Sequence, residues 1–174
     1  KKDDLFLNKK NSRTLKVINP WYYEMQDLGY HYRITDIQSA LALSQLKKIN
    51  KFLKKRKQIA KIYDDYFKNS KKITIAQLDK KNSSHHLYVI RINFEKIKKS
   101  RAELMNFLKL NNIITQVHYI PVTEHPYYSK KKYKTKNYPK AIQYYNEALS
   151  LPIYYSLTKT QQMYVIKKFF EFLN

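Results

Sequence analysis

The sequence predicts a small α/β fold in which helices cover one face of a short sheet. Three observations predict it. The run His86-Leu87-Tyr88-Val89-Ile90-Arg91-Ile92 has the length and the β-branched, aromatic composition of a strand. Two helix starts carry N-terminal capping chemistry: Ser100 with Glu103 three residues on, and Thr158 or Thr160 ahead of a helical run to Leu173. Between and around them, extended and helical segments alternate with no internal repeat.

Residues 1 to 33 have no sustained period and contain the Asn19-Pro20 turn signal followed by Trp21, Tyr22 and Tyr23. A helix begins at Thr35, which has Gln38 placed for a capping box and Asp36 in the first turn, where the helix dipole favours an acid. Ile37, Ala40, Leu41, Leu43, Leu46, Ile49, Leu53, Ala60, Ile62 and Tyr63 keep helical spacing to about Phe67. So long a run predicts a kink, a break near Asn50, or a helix bridging two bodies. After Asn69-Ser70-Lys71-Lys72, Ile73 to Ala76 reads as a weak strand, His86 to Ile92 as a strong one, and Ser100 to about Leu110 as a helix. Ile113 to Ile120 reads as a further strand stopped by Pro121. A tyrosine- and lysine-rich loop over 121–138 follows. Pro139 opens a helix to about Leu149, and Leu151-Pro152-Ile153 is a short extended piece before the last helix.

The chain of 174 residues is long enough for one domain with a true core, or a small domain plus an arm, and its 15% aromatic content argues against disorder. No run of about 18 apolar residues suggests a membrane span. The charged first residues, Lys1 to Asp4, give no sign of a secretory leader. The absence of cysteine fits a reducing compartment, so a cytoplasmic location is expected. The formal charge of +22 invites a nucleic-acid reading, but only five of the 35 basic residues are arginine: Arg13, Arg33, Arg56, Arg91 and Arg101. Arginine is the planar fork suited to phosphates and bases, whereas the lysines here fall in scattered pairs such as Lys47-Lys48 and Lys80-Lys81. A solvated, lysine-biased surface that draws anionic small substrates is the expectation. A stand-alone basic module binding nucleic acid or another anionic partner is the alternative.

Two stretches carry candidate chemistry. Gly29, the only glycine, precedes Tyr30, His31, Tyr32 and Arg33, and Arg33 lies two residues before a helix start whose N–H donors favour anions. The plainer reading is a packed turn with a surface arginine. Gln116-Val117-His118-Tyr119-Ile120-Pro121, continuing to His125, Tyr127 and Tyr128, sets histidines and tyrosines just past an expected strand end, where α/β domains bind ligands. His118 and His125 could donate to phosphate or carry protons, although a single histidine is more often structural. No HExxH or Cys/His spacing points to a metal, and one glycine permits no Walker loop, GxGxxG or GxSxG.

Taken in order, these segments resemble one family. Pro20 through Asp36, with Gly29-Tyr30-His31-Tyr32-Arg33-Ile34-Thr35-Asp36 at its end, is similar to the GYNYR(M/L)T(D/E) region of the DegT/DnrJ/EryC1/StrS sugar aminotransferases. His86 to Arg91, Gln116 to Pro121 and Leu149 to Ile153 are similar to its later landmarks. The Pro20-Trp21-Tyr22-Tyr23-Glu24-Met25 lead-in and Gln116 to Val122 look most like the branch acting in pseudaminic acid biosynthesis.

The resemblance implies the C-terminal small domain of a fold-type-I transferase: a small, mostly antiparallel sheet covered by helices, with a long connecting helix. It implies residues 1–33 as the tail of a large domain and dimer-crossing loop, 34–70 as the connecting helix and 71–174 as the small domain. It implies pyridoxal 5′-phosphate as cofactor, a homodimer through the 20–50 region, and glutamate and a UDP-linked 4-keto-6-deoxy sugar as substrates, with no membrane partner. The Schiff-base lysine is expected upstream of Lys1, so no catalytic residue is assigned here and the chain is expected to be inactive alone. His31 and Arg33 would contact the partner subunit's cofactor phosphate, with Arg33 also beside substrate. His118 and Tyr119, then His125 and Tyr128, would line the nucleotide-sugar side. The family's usual asparagine is His31 here, which makes that contact dependent on pH.

Overall fold

The computed structural model describes residues 6–8, 10, 12–14, 17–19, 21–77, 82–130 and 135–174. Pro20 of the predicted turn, the Lys80-Lys81 pair and residues 131–134 of the predicted loop lie outside them. The chain divides into two compact units, Lys1–Ser44 and Gln45–Asn174.

In the first unit, two-residue strands β1 (Arg13–Thr14) and β2 (Val17–Ile18) pair antiparallel, a small hairpin in a stretch expected to be irregular. Strands this short carry no legible alternation. Helix α1 (Asp36–Leu46) starts as its sequence demands. The Thr35 N–H donates to Gln38 Oε1 at 3.0 Å, and the Gln38 N–H donates to Thr35 Oγ1 at 3.3 Å. The long helical run breaks at Lys47-Lys48, close to the expected place, and resumes as α2 (Ile49–Phe67).

The second unit is built on a three-stranded antiparallel sheet of order β3-β4-β5, with β3 Ile73–Ile75, β4 Tyr88–Ile92 and β5 Ala148–Leu151. Ile75 pairs with Ile90, and Ile90 with Leu149, so the core residues stand in register. Tyr88, Ile90 and Ile92 share the buried face of β4 and pack with α2, with α3 (Arg101–Leu110) and with α6 (Lys159–Leu173). On the alternate positions of β4, Arg91 reaches Glu147 at 2.5 Å. Glu147 is the last residue of α5 (Pro139–Glu147). The expected small, mostly antiparallel sheet covered by helices is therefore what forms.

Aromatic rings dominate the core. Tyr63 stacks on Phe67 at 5.8 Å and on Tyr88 at 4.8 Å, and Phe67 meets Phe169 at 5.5 Å. Their polar ends are satisfied: Tyr63 Oη donates to the Pro152 carbonyl at 3.0 Å and Tyr88 Oη to Asp64 at 2.9 Å. Burial pushes both phenols above the ordinary tyrosine range, with the Asp64 carboxylate adding to the effect on Tyr88. Buried Gln162 donates to the Ile59 carbonyl at 2.8 Å, tying α6 to α2. Arg56 Nη1 donates to the carbonyls of His85, His86 and Ile153 at 3.0–3.2 Å. It thereby holds the entry to β4 against the exit from β5.

Three expectations need correction. Ile113 to Ile120 is not a strand: only Gln116 bridges to Ser150, on the outer edge of β5. Ile113 and Thr115 are buried and Ile114 exposed, so alternation begins, but it is lost by Tyr119 and Ile120, both exposed. The helix after Pro139 ends at Glu147, and the strand is Ala148–Leu151 rather than 151–153. The chain passes from helix to strand with no glycine or proline to mark the change. Within 121–138 lie a 3-10 turn (Val122–Glu124), a one-turn helix α4 (Pro126–Ser129) and a second 3-10 turn (Thr135–Asn137).

The capping boxes at Ser100/Glu103 and Thr158/Gln161 are both complete, and Thr158 rather than Thr160 is the cap. Ser100→Ala is expected to lower the stability of the second unit by about 1 kcal/mol, read as a shift in the denaturant midpoint at constant slope. An unchanged midpoint would show that Glu103 alone satisfies the helix start.

Candidate functional site

The arm ahead of α1 presents donors without partners. Tyr30, His31, Tyr32 and Arg33 are all exposed, and the Tyr30 and Tyr32 rings tilt together at 5.7 Å. Among the described residues, neither His31 nor Arg33 makes a hydrogen bond or ion pair. An unpaired guanidinium close to a helix N-terminus suits a phosphate dianion in charge and in donor geometry. Gly29, however, does not hold a left-handed backbone, and a Cβ there would meet nothing within 4 Å. The expectation that the glycine supplies a shape other residues resist is not met within this chain.

The arm is anchored upstream by Glu24. Its carboxylate accepts from the Leu7 N–H, from the Asn8 N–H at 3.1 Å, from Tyr22 Oη at 2.7 Å and from Gln26 Nε2 at 3.0 Å. The Tyr22 hydroxyl foremost, then the backbone donors, hold the acid well below the usual carboxylate range, at about 2. The depressed acid keeps these bonds in force above its ordinary titration near 4.5, and they are lost as the pH falls toward about 2. Trp21 fluorescence is expected to stay constant down to about pH 4 and change below it, with Glu24→Gln abolishing the acid step. A transition centred on the ordinary glutamate range would contradict the tie.

In the second unit, the other candidates fall in two pairs. His118 is half-buried, with its Nδ1 2.7 Å from Ser150 Oγ, and its ring meets Tyr119 edge-on at 4.6 Å. Tyr119 itself is 74% exposed, leaving one face to solvent. His125 sits between the 3-10 turn and α4. Its N–H donates to Val122 and its carbonyl accepts from the Tyr128 N–H at 2.9 Å. Both side chains of that second pair are exposed. Among the described residues no hydrogen bond or ring contact joins one pair to the other.

Two cavities of this unit lie elsewhere. One of 1180 Å³ is lined by Phe94, Lys98, Arg101, Ile142 and Glu147, and one of 650 Å³ by Ile113, Ile114, Leu157, Tyr164 and Val165. Two of the charges in the first are committed: Arg101 donates to the Tyr145 and Ala148 carbonyls, and Glu147 pairs with Arg91. Sequence reasoning missed Ser150 as a partner of His118. The only local signal was a hydroxyl set inside an otherwise apolar strand, Ala148-Leu149-Ser150-Leu151.

The second unit is thus a small antiparallel sheet covered by helices, and in the first unit exposed His31 and Arg33 stand ahead of α1 with no hydrogen bond or ion pair among the described residues. The chain belongs to the DegT/DnrJ/EryC1/StrS aminotransferase family, whose model matches residues 7–170. It is 40% identical to the spore coat polysaccharide biosynthesis protein SpsC of Bacillus subtilis, over 79% of this chain and 36% of that protein. It is 36% identical to a UDP-4-amino-4,6-dideoxy-N-acetyl-β-L-altrosamine transaminase of Campylobacter jejuni, over 88% of this chain and 40% of the relative. Among solved structures, it superposes on Helicobacter pylori PseC, an aminotransferase involved in pseudaminic acid biosynthesis, with a TM-score of 0.76 and 28% identity, over 88% of this chain and 41% of that one. The chain thus spans about two-fifths of the length of the relatives it matches. Aminotransferases of this family depend on pyridoxal phosphate. Among the described residues, no helix is long and apolar enough to cross a membrane.

Proposed function

We propose that this chain supplies the small domain and the dimer-crossing arm of a pyridoxal-phosphate-dependent nucleotide-sugar aminotransferase. The enzyme moves an amino group from glutamate to a UDP-linked 4-keto-6-deoxy sugar, in the pseudaminic acid branch of the family. The observation that carries this reading is Arg33: exposed, unpaired among the described residues, just ahead of a capped helix and inside the family's own motif. The exposed apolar side chains of the 20–50 region, Trp21, Tyr23, Ile37 and Leu41 among them, support burial against a second copy.

Arg33 and His31 would hold the phosphate of the partner subunit's cofactor, a dianion matched by a free guanidinium and a ring N–H. When bound, pyridoxal phosphate supplies the electron sink for the transfer. None of this chain's lysines is assigned to carry it, and the chain by itself is expected to be inactive. His118 and Tyr119 would bind and orient the nucleotide sugar, with His125 and Tyr128 along the same side. Fixing the substrate in this way lowers the entropic part of the barrier.

A chimaera tests the reading. With this chain replacing the matching stretch of the Campylobacter jejuni transaminase, glutamate is expected to be converted to 2-oxoglutarate beyond one equivalent per enzyme only when the 4-keto nucleotide sugar is present to take up the amino group. A folded, cofactor-loaded chimaera without that sugar-dependent turnover would overturn the proposal. Sub-micromolar binding of duplex DNA by the chain, with a steep negative salt slope, would favour the basic-module alternative instead.

A further inference from the structure

We infer that Ser150 is a positioning residue that fixes the tautomer of His118 and aims its Nε2–H at an oxygen of the bound nucleotide sugar. The inference rests on the substrate role proposed for His118 and adds the residue that makes that role specific.

Ser150 is 5% exposed, the single hydroxyl in β5, and a buried hydroxyl left without a partner is costly. Its side chain engages His118 Nδ1 at 2.7 Å. Two backbone hydrogen bonds frame the contact: the Gln116 N–H donates to the Ser150 carbonyl at 3.3 Å, and the Ser150 N–H to the Gln116 carbonyl at 2.8 Å. Gln116 and His118 lie two positions apart, so this clamp fixes the stretch from which the ring projects. Tyr119 packs against the ring edge-on and limits its rotation.

The direction of the hydrogen bond follows from what each group has left. Among the described residues, Ser150 Oγ has no second acceptor, so its proton is satisfied only by donation to Nδ1. A neutral ring accepting at Nδ1 carries its proton on Nε2. Among the described residues, Nε2 makes no hydrogen bond, and the residue is half-exposed. The ring therefore offers one donor, held in direction, to a ligand acceptor. A phosphate or hydroxyl oxygen of the nucleotide sugar meets that description, and an ammonium group does not. Ser150 itself is too buried to meet the ligand.

Nitrogen NMR of the full chain, labelled at histidine, reads the tautomer directly, and the His118 signals are identified by their loss in His118→Gln. The wild type is expected to show His118 with its proton on Nε2, Ser150→Thr to keep that pattern, and Ser150→Ala to give a mixture. An identical His118 spectrum in wild type and Ser150→Ala would overturn the inference. In the chimaera, Ser150→Ala is expected to raise KM for the nucleotide sugar about 3- to 10-fold, the worth of one hydrogen bond, with kcat little changed. It should add nothing further to His118→Gln. An unchanged KM, or effects that multiply, would likewise overturn it. Failure of the unmutated chimaera to turn over counts against the aminotransferase reading alone, because the tautomer is measured without catalysis.

Discussion

Arg33→Ala in the chimaeric enzyme is expected to cut kcat/KM by about 10- to 150-fold, since a hydrogen bond to a charged partner is worth about 1.5–3 kcal/mol. The size of the effect follows from the arm: Arg33 has no partner among the described residues of its own chain, so its removal leaves no local packing or ion pair to repair. Arg33→Lys should recover part of the loss, keeping the charge without the planar fork. Lys71→Ala, at an exposed position on the turn before β3, serves as the comparison and should change activity little. Lys80, an equally natural choice from the sequence, lies outside the described residues. Should Lys71→Ala and Arg33→Ala cost the same, the loss would reflect net charge, and the arm would have no special place in the active site. Dissociation of the cofactor, followed by its absorbance after dilution, separates a phosphate contact from a substrate contact.

The largest structural effect is expected at Phe67. Its ring is fully buried and meets Tyr63, Tyr88, Phe169 and Phe170, so it joins α2, β4 and α6 in one cluster. Phe67→Ala should destabilise the second unit by about 3–5 kcal/mol, the loss of a large ring plus the cavity it leaves. That corresponds to a fall in Tm of roughly 10–20 °C for a unit of this size. Phe170→Ala, at a half-buried ring on the border of the same cluster, should cost clearly less. A melting temperature lowered equally by the two would mean that the cluster is not centred on Phe67.

What the sequence made legible was local. Thr35, Ser100 and Thr158 bring their capping partners within three residues, so the chemistry that starts each helix is visible without knowing the fold. The β-branched run to Ile92 is likewise self-contained, although the strand starts only at Tyr88, and the His86 carbonyl just before it is taken by Arg56 from 30 positions away. The misreadings share the opposite character. Ala148 and Leu149 satisfy a helical period and a strand equally well, and pairing with Arg91 and Ile90 decides between them. Ile113 to Ile120 looks like a strand because it is apolar, but an edge of β5 that accepts only Gln116 sets the limit.

The candidate site divides along the same line. His118 could be picked from its motif, whereas the hydroxyl that orients it lies 32 residues further on and means nothing by spacing. Gly29 is the converse case: composition singles it out, and the backbone makes no use of its freedom.

The last turn of α6 bears on how the basic surface is to be weighed. Lys72 donates to the Leu173 carbonyl at 2.5 Å, and Lys99 donates to the Phe172 carbonyl while its ammonium lies 4.8 Å from the Phe172 ring centre. Two cations thus stopper the negative end of one helix. Lys61 and Lys68 are likewise engaged with Asp65, and Lys168 with Glu171. The formal +22 already sets these acids against the bases, whereas Lys72 and Lys99 turn their ammonium groups to backbone oxygens of the same molecule before any visitor arrives, so the number is a census of protons rather than a gauge of reach.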